Sequence, residues 1–245
     1  MPRPATRLAL QRLDSTALLV SRHPIGEADL VVRLFTESSG MIGVIARNAR
    51  RSAKRFGALE PMHVLKVRVE SSPLRDLGTL AEASLERPRI GITARLDTLE
   101  AAGQALRWLR RAAPTRSSEP ELWREVNALL DELDALPATG AKRVGSLLAG
   151  SGLRMLAATG WALELSRCVR CEKACPERSR SILDVAAGGI VCRACGGRGE
   201  VLSAAERHAF LRAADGDPDA LVEGSSRAID VVERALEVHG RGEAT

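Results

Sequence analysis

Four cysteines late in the chain form two C-x-x-C pairs, and this spacing restricts the local structure more than any other feature. The pairs are Cys168/Cys171 and Cys192/Cys195, with 20 residues between them. Two residues between ligands let both sulfurs of a tight turn reach one ion, and this separation between pairs is typical of tetrahedral zinc sites. The sequence therefore predicts one Zn²⁺ bound by these four cysteines.

The predicted zinc site is structural, because four thiolate ligands leave no open coordination position for a substrate. An iron–sulfur cluster and free or redox-active thiols are the alternative interpretations. Cys175 is a fifth thiol in the same stretch, and the paired spacing favours it as an unliganded residue. We predict a hairpin over Ile182–Val191, with its turn at Ala186–Gly189, that brings the second pair opposite the first.

The distribution of cysteines indicates a reducing compartment. All five lie within 28 residues, whereas the disulfides of a secreted protein would be spread along the chain. No segment approaches the ~20 apolar residues needed to span a bilayer, and Arg12 and Asp14 interrupt any apolar region of a signal peptide. We therefore expect a cytoplasmic protein without a membrane anchor.

The composition fits a folded protein with a polyanionic partner. Of 245 residues, 45% are hydrophobic, which is enough to build cores, and the net charge is +5 with a pI of about 9.3. Most of the positive charge is arginine, a residue that contacts phosphate bidentately, although GC-rich coding would also explain it. There is no Tyr and only three Phe and three Trp, so nucleic-acid binding would depend on phosphate contacts rather than on stacking.

The N-terminal third of the chain predicts a small β-barrel. Short apolar or alternating segments, separated by turn residues, indicate five strands. They are Thr16–Ser21, Asp29–Thr36, Met41–Ala46, Leu65–Val69 and Leu77–Leu85. Five short strands without a long helix fit an OB-fold, and an SH3-like barrel fits the pattern nearly as well.

The remainder of the chain predicts helices. Apolar residues recur at three- and four-residue steps from Ile90 to Trp161 and again after the cysteines, and Ser203 with Glu206 matches a capping box. The predicted helices cover about 96–109, 121–136, 141–159, 203–214 and 226–239. We predict an α+β multidomain protein: an OB-fold domain (1–86), a helical domain (87–165), a zinc knuckle (166–200) and C-terminal helices packing on the helical domain (201–245).

The densest basic segment follows the third predicted strand. Five cations occur in nine residues with no acid among them, a pattern typical of a loop that contacts a polyanion, although a solvated charged loop is the alternative. These cations are Arg47, Arg50, Arg51, Lys54 and Arg55. Lys66 and Arg68, on the polar face of a strand, extend the predicted DNA-binding surface, and Arg22 and Arg33 are weaker candidates.

Seven further cations surround the cysteines in sequence. They are Arg167, Arg170, Lys173, Arg178, Arg180, Arg193 and Arg198. Four thiolates on Zn²⁺ carry a local charge of about −2, so these cations either compensate the metal site or contact DNA. The sequence leaves both interpretations open.

Several segments resemble the bacterial DNA repair and recombination mediator family RecO. They are His23–Asp29 (HPIGEAD), Leu34–Gly40 (LFTESSG), Ala49–Gly57 (ARRSAKRFG) and Leu183–Ile190 (LDVAAGGI). The resemblance implies an OB-fold, a helical domain and a zinc-bearing module. It also implies binding of single- and double-stranded DNA, annealing of complementary strands, and location at the nucleoid. Among the basic residues, it implies that Arg50, Arg51, Lys54 and Arg55 contact DNA.

The resemblance further implies protein partners. These are RecR and the C-terminal tail of the single-strand-binding protein SSB, so that RecA can load onto SSB-coated DNA. An acidic tail with terminal apolar residues would fit an apolar groove rimmed by arginines. We expect that groove among the helices between Ile90 and Trp161.

Catalytic motifs are not found in the sequence. It has no G-x-x-x-x-G-K-[ST], H-E-x-x-H or G-x-S-x-G motif, and its four histidines are scattered. Acidic residues from Glu119 to Asp134 would suit a nuclease only if they converged on a metal, and their spacing spreads them around a helix. We therefore predict a mediator rather than an enzyme, with a zinc-containing nuclease and a sequence-specific transcription factor as alternatives.

Overall fold

The computed structural model describes residues 11–57, 59–71 and 76–240, without the side chains of residues 53 and 54, and they form two compact units. The barrel unit comprises the residues up to Arg89 together with Pro114–Trp123. The helical unit comprises Ile90–Ala113 and the residues from Arg124 onward. The predicted α+β class is confirmed, because strands dominate the first unit and helices the second. The finer division at residues 86, 165 and 200 stays a prediction.

The barrel unit is a closed barrel of five strands. They are β1 (Gln11–Ile25), β2 (Asp29–Thr36), β3 (Gly40–Ala46), β4 (Val64–Ser71) and β5 (Gly78–Arg87). The order is β1-β2-β3-β5-β4, and β1 also pairs with β4 to close the barrel. Only the β3–β5 pair is parallel among the five pairs of this barrel. This Greek-key order is that of the OB-fold, which confirms the prediction.

Alternating side chains fill the barrel. Leu30, Val32 and Leu34 point inward from β2 and meet Val44 and other buried aliphatic residues. Burial of each such side chain stabilises the fold by roughly 1.5–3 kcal/mol. The short helix α1 (Ala53–Phe56), between β3 and β4, adds the ring of its last residue to the same core.

Strand β1 is much longer than predicted. Its N-terminal half pairs with β4 and its C-terminal half with β2, and a register shift between Leu19 and Ser21 lets the strand bend from one partner to the other. The strand predicted from the sequence covers only Thr16–Ser21. The outer parts of the observed strand escaped the prediction because they carry Arg12, Asp14 and other polar residues on an exposed face.

Five longer helices follow, with helix α3 beginning in the barrel unit and continuing in the helical unit. They are α2 (Leu96–Ala112), α3 (Pro120–Ala135), α4 (Ala141–Ala158), α5 (Ala204–Ala214) and α6 (Ser225–His239). Each lies within a few residues of its predicted position. Of the helices that the structure describes, none is both long and apolar enough to cross a bilayer.

Helix α4 lies at the centre of the helical unit and packs against α2, α5 and α6. Its glycines, which lower intrinsic helix propensity, permit this packing. A Cβ added at Gly152 would lie 2.6 Å from the ring of Trp108 and 3.0 Å from Val232. Trp108 is fully buried there, and its indole N–H donates to the carboxylate of Glu233 at 2.7 Å.

The cysteine-bearing segment adds a small sheet to the helical unit. Its strands β6 (Ser181–Asp184), β7 (Gly189–Ile190) and β8 (Glu200–Leu202) pair in the order β7-β6-β8. The predicted hairpin is present, with its turn at residues 185–188, one residue earlier than expected. Strand β8 was not predicted, because three residues are too few to show a period of two.

The capping box predicted at the start of α5 is confirmed. The Ser203 hydroxyl accepts from the Glu206 N–H at 3.2 Å, and the Ser203 N–H donates to the Glu206 carboxylate at 2.8 Å. These bonds, with the neighbouring Arg227, lower the pKa of Glu206. The cap therefore fixes the direction in which α5 leaves the small sheet.

Candidate metal centre and nucleic-acid interface

Four thiols meet at one point of the helical unit. The sulfurs of Cys168, Cys171, Cys192 and Cys195 all lie within 4.8 Å of one another, and those of Cys171 and Cys192 are 3.8 Å apart. A tetrahedral site with Zn–S bonds of about 2.3 Å places its sulfurs about 3.8 Å apart, whereas a disulfide requires about 2.05 Å. This cysteine cluster can therefore hold a metal ion.

The two cysteine pairs occupy similar tight turns. The Glu172 N–H donates to the Cys168 carbonyl at 2.8 Å, and the Cys195 N–H donates to the Cys192 carbonyl at 3.1 Å. The residue after each pair has a left-handed backbone, with φ of 58° at Glu172 and 75° at Gly196. These turns direct both sulfurs of each pair to the same side.

The groups around the cluster favour the thiolate form of one cysteine and the protonated form of another. The Cys192 N–H donates to the Cys168 sulfur at 3.3 Å, and this bond, with the N–H groups of Arg170 and Cys171, lowers the pKa of Cys168 to about 6. Hydrogen bonds to Cys192 and Cys171, together with burial, raise the pKa of Cys195 to about 12. A divalent cation would replace the protons shared among these sulfurs.

Cys175 lies outside the cysteine cluster. Its sulfur is 3.9 Å from the Pro176 carbonyl oxygen, and it is not among the four sulfurs that converge. The structure thus groups the four cysteines chosen from the paired spacing.

Two arginines hold this region together; Arg170 is one of the seven cations noted around the cysteines, whereas no sequence pattern pointed to Arg207. Arg170 donates to the Cys195 carbonyl at 2.7 Å and links the two turns. Arg207, on α5, is 4% exposed and donates to four carbonyls of the cysteine-bearing segment. The acceptors are Leu165 at 3.1 Å, Cys175 at 3.4 Å, Pro176 at 2.7 Å and Glu177 at 3.0 Å.

The basic segment Arg47–Arg55 lies between β3 and β4 and contains a 3-10 turn followed by α1. It is fastened to the turn between β1 and β2. The Asn48 N–H donates to the Asp29 carboxylate at 2.8 Å, and the Arg50 N–H donates to the Ala28 carbonyl at 3.0 Å. In OB-folds, the loop between the first two strands borders the nucleic-acid groove.

The cations of the basic segment differ in their partners. Arg47 is exposed. Arg50 donates to the Glu27 carbonyl at 3.2 Å, and Arg51 forms an ion pair with the Glu27 carboxylate at 3.4 Å with both side chains more than two thirds exposed. Such a surface pair is weak, so the segment keeps its attraction for anions.

The remaining candidates of the barrel unit include one that the structure does not describe. Arg55 donates to the Ala81 carbonyl at 2.7 Å and stacks over the Phe56 ring at 5.0 Å. The Lys54 side chain lies outside the described residues. Lys66 is exposed and, with Arg55, lines a groove of about 840 Å³ on the face of β1, β4 and β5.

Arg68 is more strongly engaged than the other predicted DNA contacts. It pairs with Asp14 at 3.0 Å and with Glu82 at 2.8 Å. Hydrogen bonds from Arg12 and from Arg68 lower the pKa of Asp14, and the hydrogen bond to Asp14 together with the charge of Glu82 raises the pKa of Arg68. Its charge is already compensated, which reduces its contribution to anion binding.

Arg33 has a more favourable position than the sequence suggested. It lies in β2 opposite Gly43 of β3, on the face that alternates with the buried Val32 and Leu34. Because strands two and three supply the nucleic-acid face in OB-folds, Arg33 is a candidate on the expected surface. The signal available in the sequence was that Arg33 is the one polar residue in the otherwise apolar run Leu30–Leu34.

The acidic residues of α3 do not form a metal site in the structure. Glu125 accepts from Ser151 at 2.8 Å and from Arg154 at 2.9 Å, and Asp134 accepts from the Ile92 N–H at 3.2 Å. Within the ranges that the structure describes, the cysteine cluster is the one convergent group of potential metal ligands. This arrangement gives no support to a nuclease centre on α3.

Comparison with known proteins gives two matches that together span most of the chain. The family model described as Recombination protein O N terminal matches residues 10–89, and the model described as Recombination protein O C terminal matches residues 94–240. These ranges meet where the barrel unit gives way to the helical unit.

Several curated proteins are similar over about three quarters of the chain. A DNA repair protein RecO from Anaeromyxobacter sp. (strain Fw109-5) is 33% identical over 186 residues, 76% of this chain and 71% of that protein. The protein of the same name from Rubrobacter xylanophilus is 34% identical over 192 residues, 77% of this chain and 72% of that protein. The one from Bifidobacterium longum (strain NCC 2705) is 31% identical over 193 residues, covering 76% and 74%.

Proposed function

Because this chain belongs to the RecO family of DNA repair and recombination proteins, we propose that it is a recombination mediator without catalytic turnover. It binds single- and double-stranded DNA and anneals complementary strands at the nucleoid. Together with RecR, it helps RecA to load on single-stranded DNA coated by SSB.

One observation carries the DNA-binding proposal: a basic segment is fastened to the loop of an OB-fold that borders the nucleic-acid groove. Arg47, Arg50 and Arg51 project from this segment with at most weak ion pairing. Their charges neutralise phosphates and reduce the repulsion between two strands, which favours pairing. Lys54, Arg55, Lys66 and Arg68 complete the proposed surface, with Arg68 contributing least.

We assign the cysteine cluster a structural role with one Zn²⁺. Cys168, Cys171, Cys192 and Cys195 would hold the ion, and four thiolates would leave it no open position. The spacing of the sulfurs and the N–H donated to Cys168 support this assignment. The ion would cross-link the two tight turns of the segment.

A groove among the helices supports the proposed docking of the SSB tail. It measures about 390 Å³ within the helical unit, and its lining includes the apolar Leu136 and Leu147 and the basic Arg143 and Arg154. Arg143 is paired with the exposed Asp219 at 2.7 Å, and an acidic tail can compete for such a surface pair. The lining also includes the acidic Glu132 and Asp217, so we assign the match to the apolar floor, which would receive the apolar terminal residues of the tail, and to the two arginines, which would pair with its acidic residues.

The DNA-binding proposal is tested by reversing two charges of the basic segment. We expect Arg50→Glu with Arg51→Glu to weaken binding of a labelled oligonucleotide. Loss of two phosphate contacts should reduce the slope of log K against log salt by about 1.4 for single strands. Fluorescence anisotropy over a salt series measures both quantities.

A matched control separates a local effect from a general loss of positive charge. Arg178→Glu with Arg198→Glu changes the net charge equally at two exposed residues of the helical unit. We expect this control to bind DNA nearly as wild type does. Equal affinities for the basic-segment variant and wild type, with both folded by circular dichroism, would refute the proposed surface.

A further inference from the structure

A cleft lies beside the cysteine cluster in the helical unit, and the fifth cysteine of the chain lines it. The cleft measures about 410 Å³, a size usual for small-molecule sites. The Cys175 side chain is partly exposed, and its sulfur is not one of the four that converge. Its polar contact is the Pro176 carbonyl oxygen at 3.9 Å, a weak one. The Cys175 sulfur is therefore accessible to a molecule in the cleft.

Hydrogen bonds hold the backbone around Cys175 in place. The Cys175 N–H donates to the Ser166 carbonyl at 2.8 Å. On its other side, the buried Arg207 donates to the Cys175 carbonyl at 3.4 Å and to the Pro176 carbonyl at 2.7 Å. The sulfur thus has a defined position in the wall of the cleft, as a group that reacts with a bound molecule requires.

The charged residues of the cleft are all cations. Lys173, Arg180 and Arg193 line it, each is exposed, and none forms an ion pair with another described residue. By contrast, the nearby Arg167 pairs with Glu164 at 3.4 Å. A cleft lined by one sign of charge concentrates ligands of the opposite sign. This cleft therefore favours a small anion.

A buried hydroxyl of the cleft lacks a partner. Ser181 is 7% exposed and belongs to the lining, and its hydroxyl makes no hydrogen bond with any described residue. Buried polar groups are nearly always hydrogen-bonded, so this hydroxyl points to a ligand with a hydrogen-bond acceptor. Ile182, Val191 and Val201 add an apolar wall that would contact the aliphatic part of such a ligand.

We propose that Cys175 is a site of reversible thiolation, at which the cleft receives a small disulfide that carries carboxylates. The carboxylates contact Lys173, Arg180 and Arg193, and one of them accepts from the Ser181 hydroxyl. The disulfide then lies beside the Cys175 sulfur. This inference goes beyond DNA binding and does not depend on it.

The reaction is a thiol–disulfide exchange. Cys175 loses its proton to solvent, and its sulfur attacks one sulfur of the bound disulfide. The bond between Cys175 and that sulfur forms as the original disulfide bond breaks, and the other half leaves as a thiolate that takes up a proton. The Cys175 sulfur is oxidised and the leaving half is reduced, so no further oxidant is needed. An excess of free thiol reverses the exchange.

Metal binding makes the reaction selective for Cys175. Cys168 and Cys192 also line the cleft, but their thiolates are ligands in the metal-loaded protein. Cys175 is then the one cysteine of the five that lines the cleft without belonging to the cluster.

The site is tested on the zinc-loaded full-length protein with dithiodiglycolate, which carries two carboxylates, and with the neutral bis(2-hydroxyethyl) disulfide. Each rate is divided by that of the same disulfide with N-acetylcysteine amide, which removes differences in intrinsic reactivity. We expect mass spectrometry to find one adduct, at Cys175, with zinc retained, and a normalised rate roughly ten-fold higher for the acidic disulfide. Absence of an adduct at Cys175, or an earlier adduct at a cluster cysteine with loss of zinc, would overturn the proposal.

Charge reversal tests the role of the cations. Lys173→Glu combined with Arg180→Glu should abolish the preference for the acidic disulfide. Arg178→Glu with Arg198→Glu is the matched control, since both residues are exposed and neither lines the cleft, and it should keep the preference. Equal normalised rates in wild type, or the same loss in both variants, would contradict recognition by the cleft.

Two further variants test the hydroxyl and the sulfur. Ser181→Ala removes a hydroxyl that makes no hydrogen bond within the described fold, and it should slow the acidic disulfide roughly three-fold. Cys175→Ser should form no adduct. A wild-type rate in Ser181→Ala, or an adduct on zinc-loaded Cys175→Ser at the wild-type rate, would refute the assigned site.

Discussion

Two kinds of residue build the region of the cysteine cluster: the cysteines themselves and an arginine that binds backbone carbonyls. The four sulfurs were predictable because C-x-x-C spacing reflects the reach of two side chains from one turn. Arg207 was not predictable, because its role comes from carbonyls at Leu165 and Cys175–Glu177 that the fold brings to it. A buried arginine whose two terminal nitrogens donate to four carbonyls, while its Nε has no partner among the described residues, leaves no signature in the chain.

Replacement of one cluster cysteine tests the metal assignment. We expect Cys192→Ser to lose bound zinc and to open the segment from residue 166 to 200 to proteases, because metal binding contributes on the order of 10 kcal/mol to the folding of small zinc modules. Metal analysis and limited proteolysis measure these effects.

Cys175→Ser is the control for this experiment, since its sulfur lies outside the cluster. It should retain one zinc per chain and the protease resistance of wild type. Loss of zinc from the Cys175→Ser protein would show that the ligand set is different.

At the scale of secondary-structure elements, the periodicity of apolar residues predicted most strands and helices. The differences between predicted and observed elements have physical causes. Strand β1 was underestimated because its exposed face is charged. Helix α4 contains Gly145, Gly150 and Gly152, which lower its intrinsic helix propensity, yet these residues lie where other elements approach closely. Intrinsic propensity describes an isolated helix, whereas close packing in the folded protein reverses the preference at such positions.

An alanine at position 152 shows whether close packing or intrinsic helix propensity decides the stability effect of this residue. Alanine is about 1 kcal/mol better than glycine in an exposed helix, but its Cβ would meet the Trp108 ring at 2.6 Å. We expect Gly152→Ala to lower the free energy of unfolding by about 1–3 kcal/mol, the usual cost of overpacking. Chemical denaturation measures the difference.

Gly103 in α2 is the matched comparison, because its added Cβ would meet only the Arg107 guanidinium at 3.6 Å. We expect Gly103→Ala to stabilise the protein by up to about 1 kcal/mol. If both substitutions had the same sign, the close-packing explanation for α4 would be wrong.

For the whole molecule, the sequence indicated the two-part architecture and the basic character, and the structure divides the roles. The barrel unit carries the basic segment on an OB-fold, and the helical unit carries the cysteine cluster. Which cations form ion pairs depends on tertiary contacts and could not be deduced from charge counts; Arg68, for example, pairs with Asp14 and Glu82.

We propose that this chain brings DNA strands together without cutting them. The most direct measurement mixes labelled complementary strands with the purified protein, with Mg²⁺ and without nucleotide, and follows duplex formation by fluorescence transfer and strand length on a denaturing gel. We expect duplex formation faster than with buffer alone, slower as salt rises and in Arg50→Glu with Arg51→Glu, and full-length strands throughout. Cleavage products, or annealing no faster than in buffer, would contradict the account.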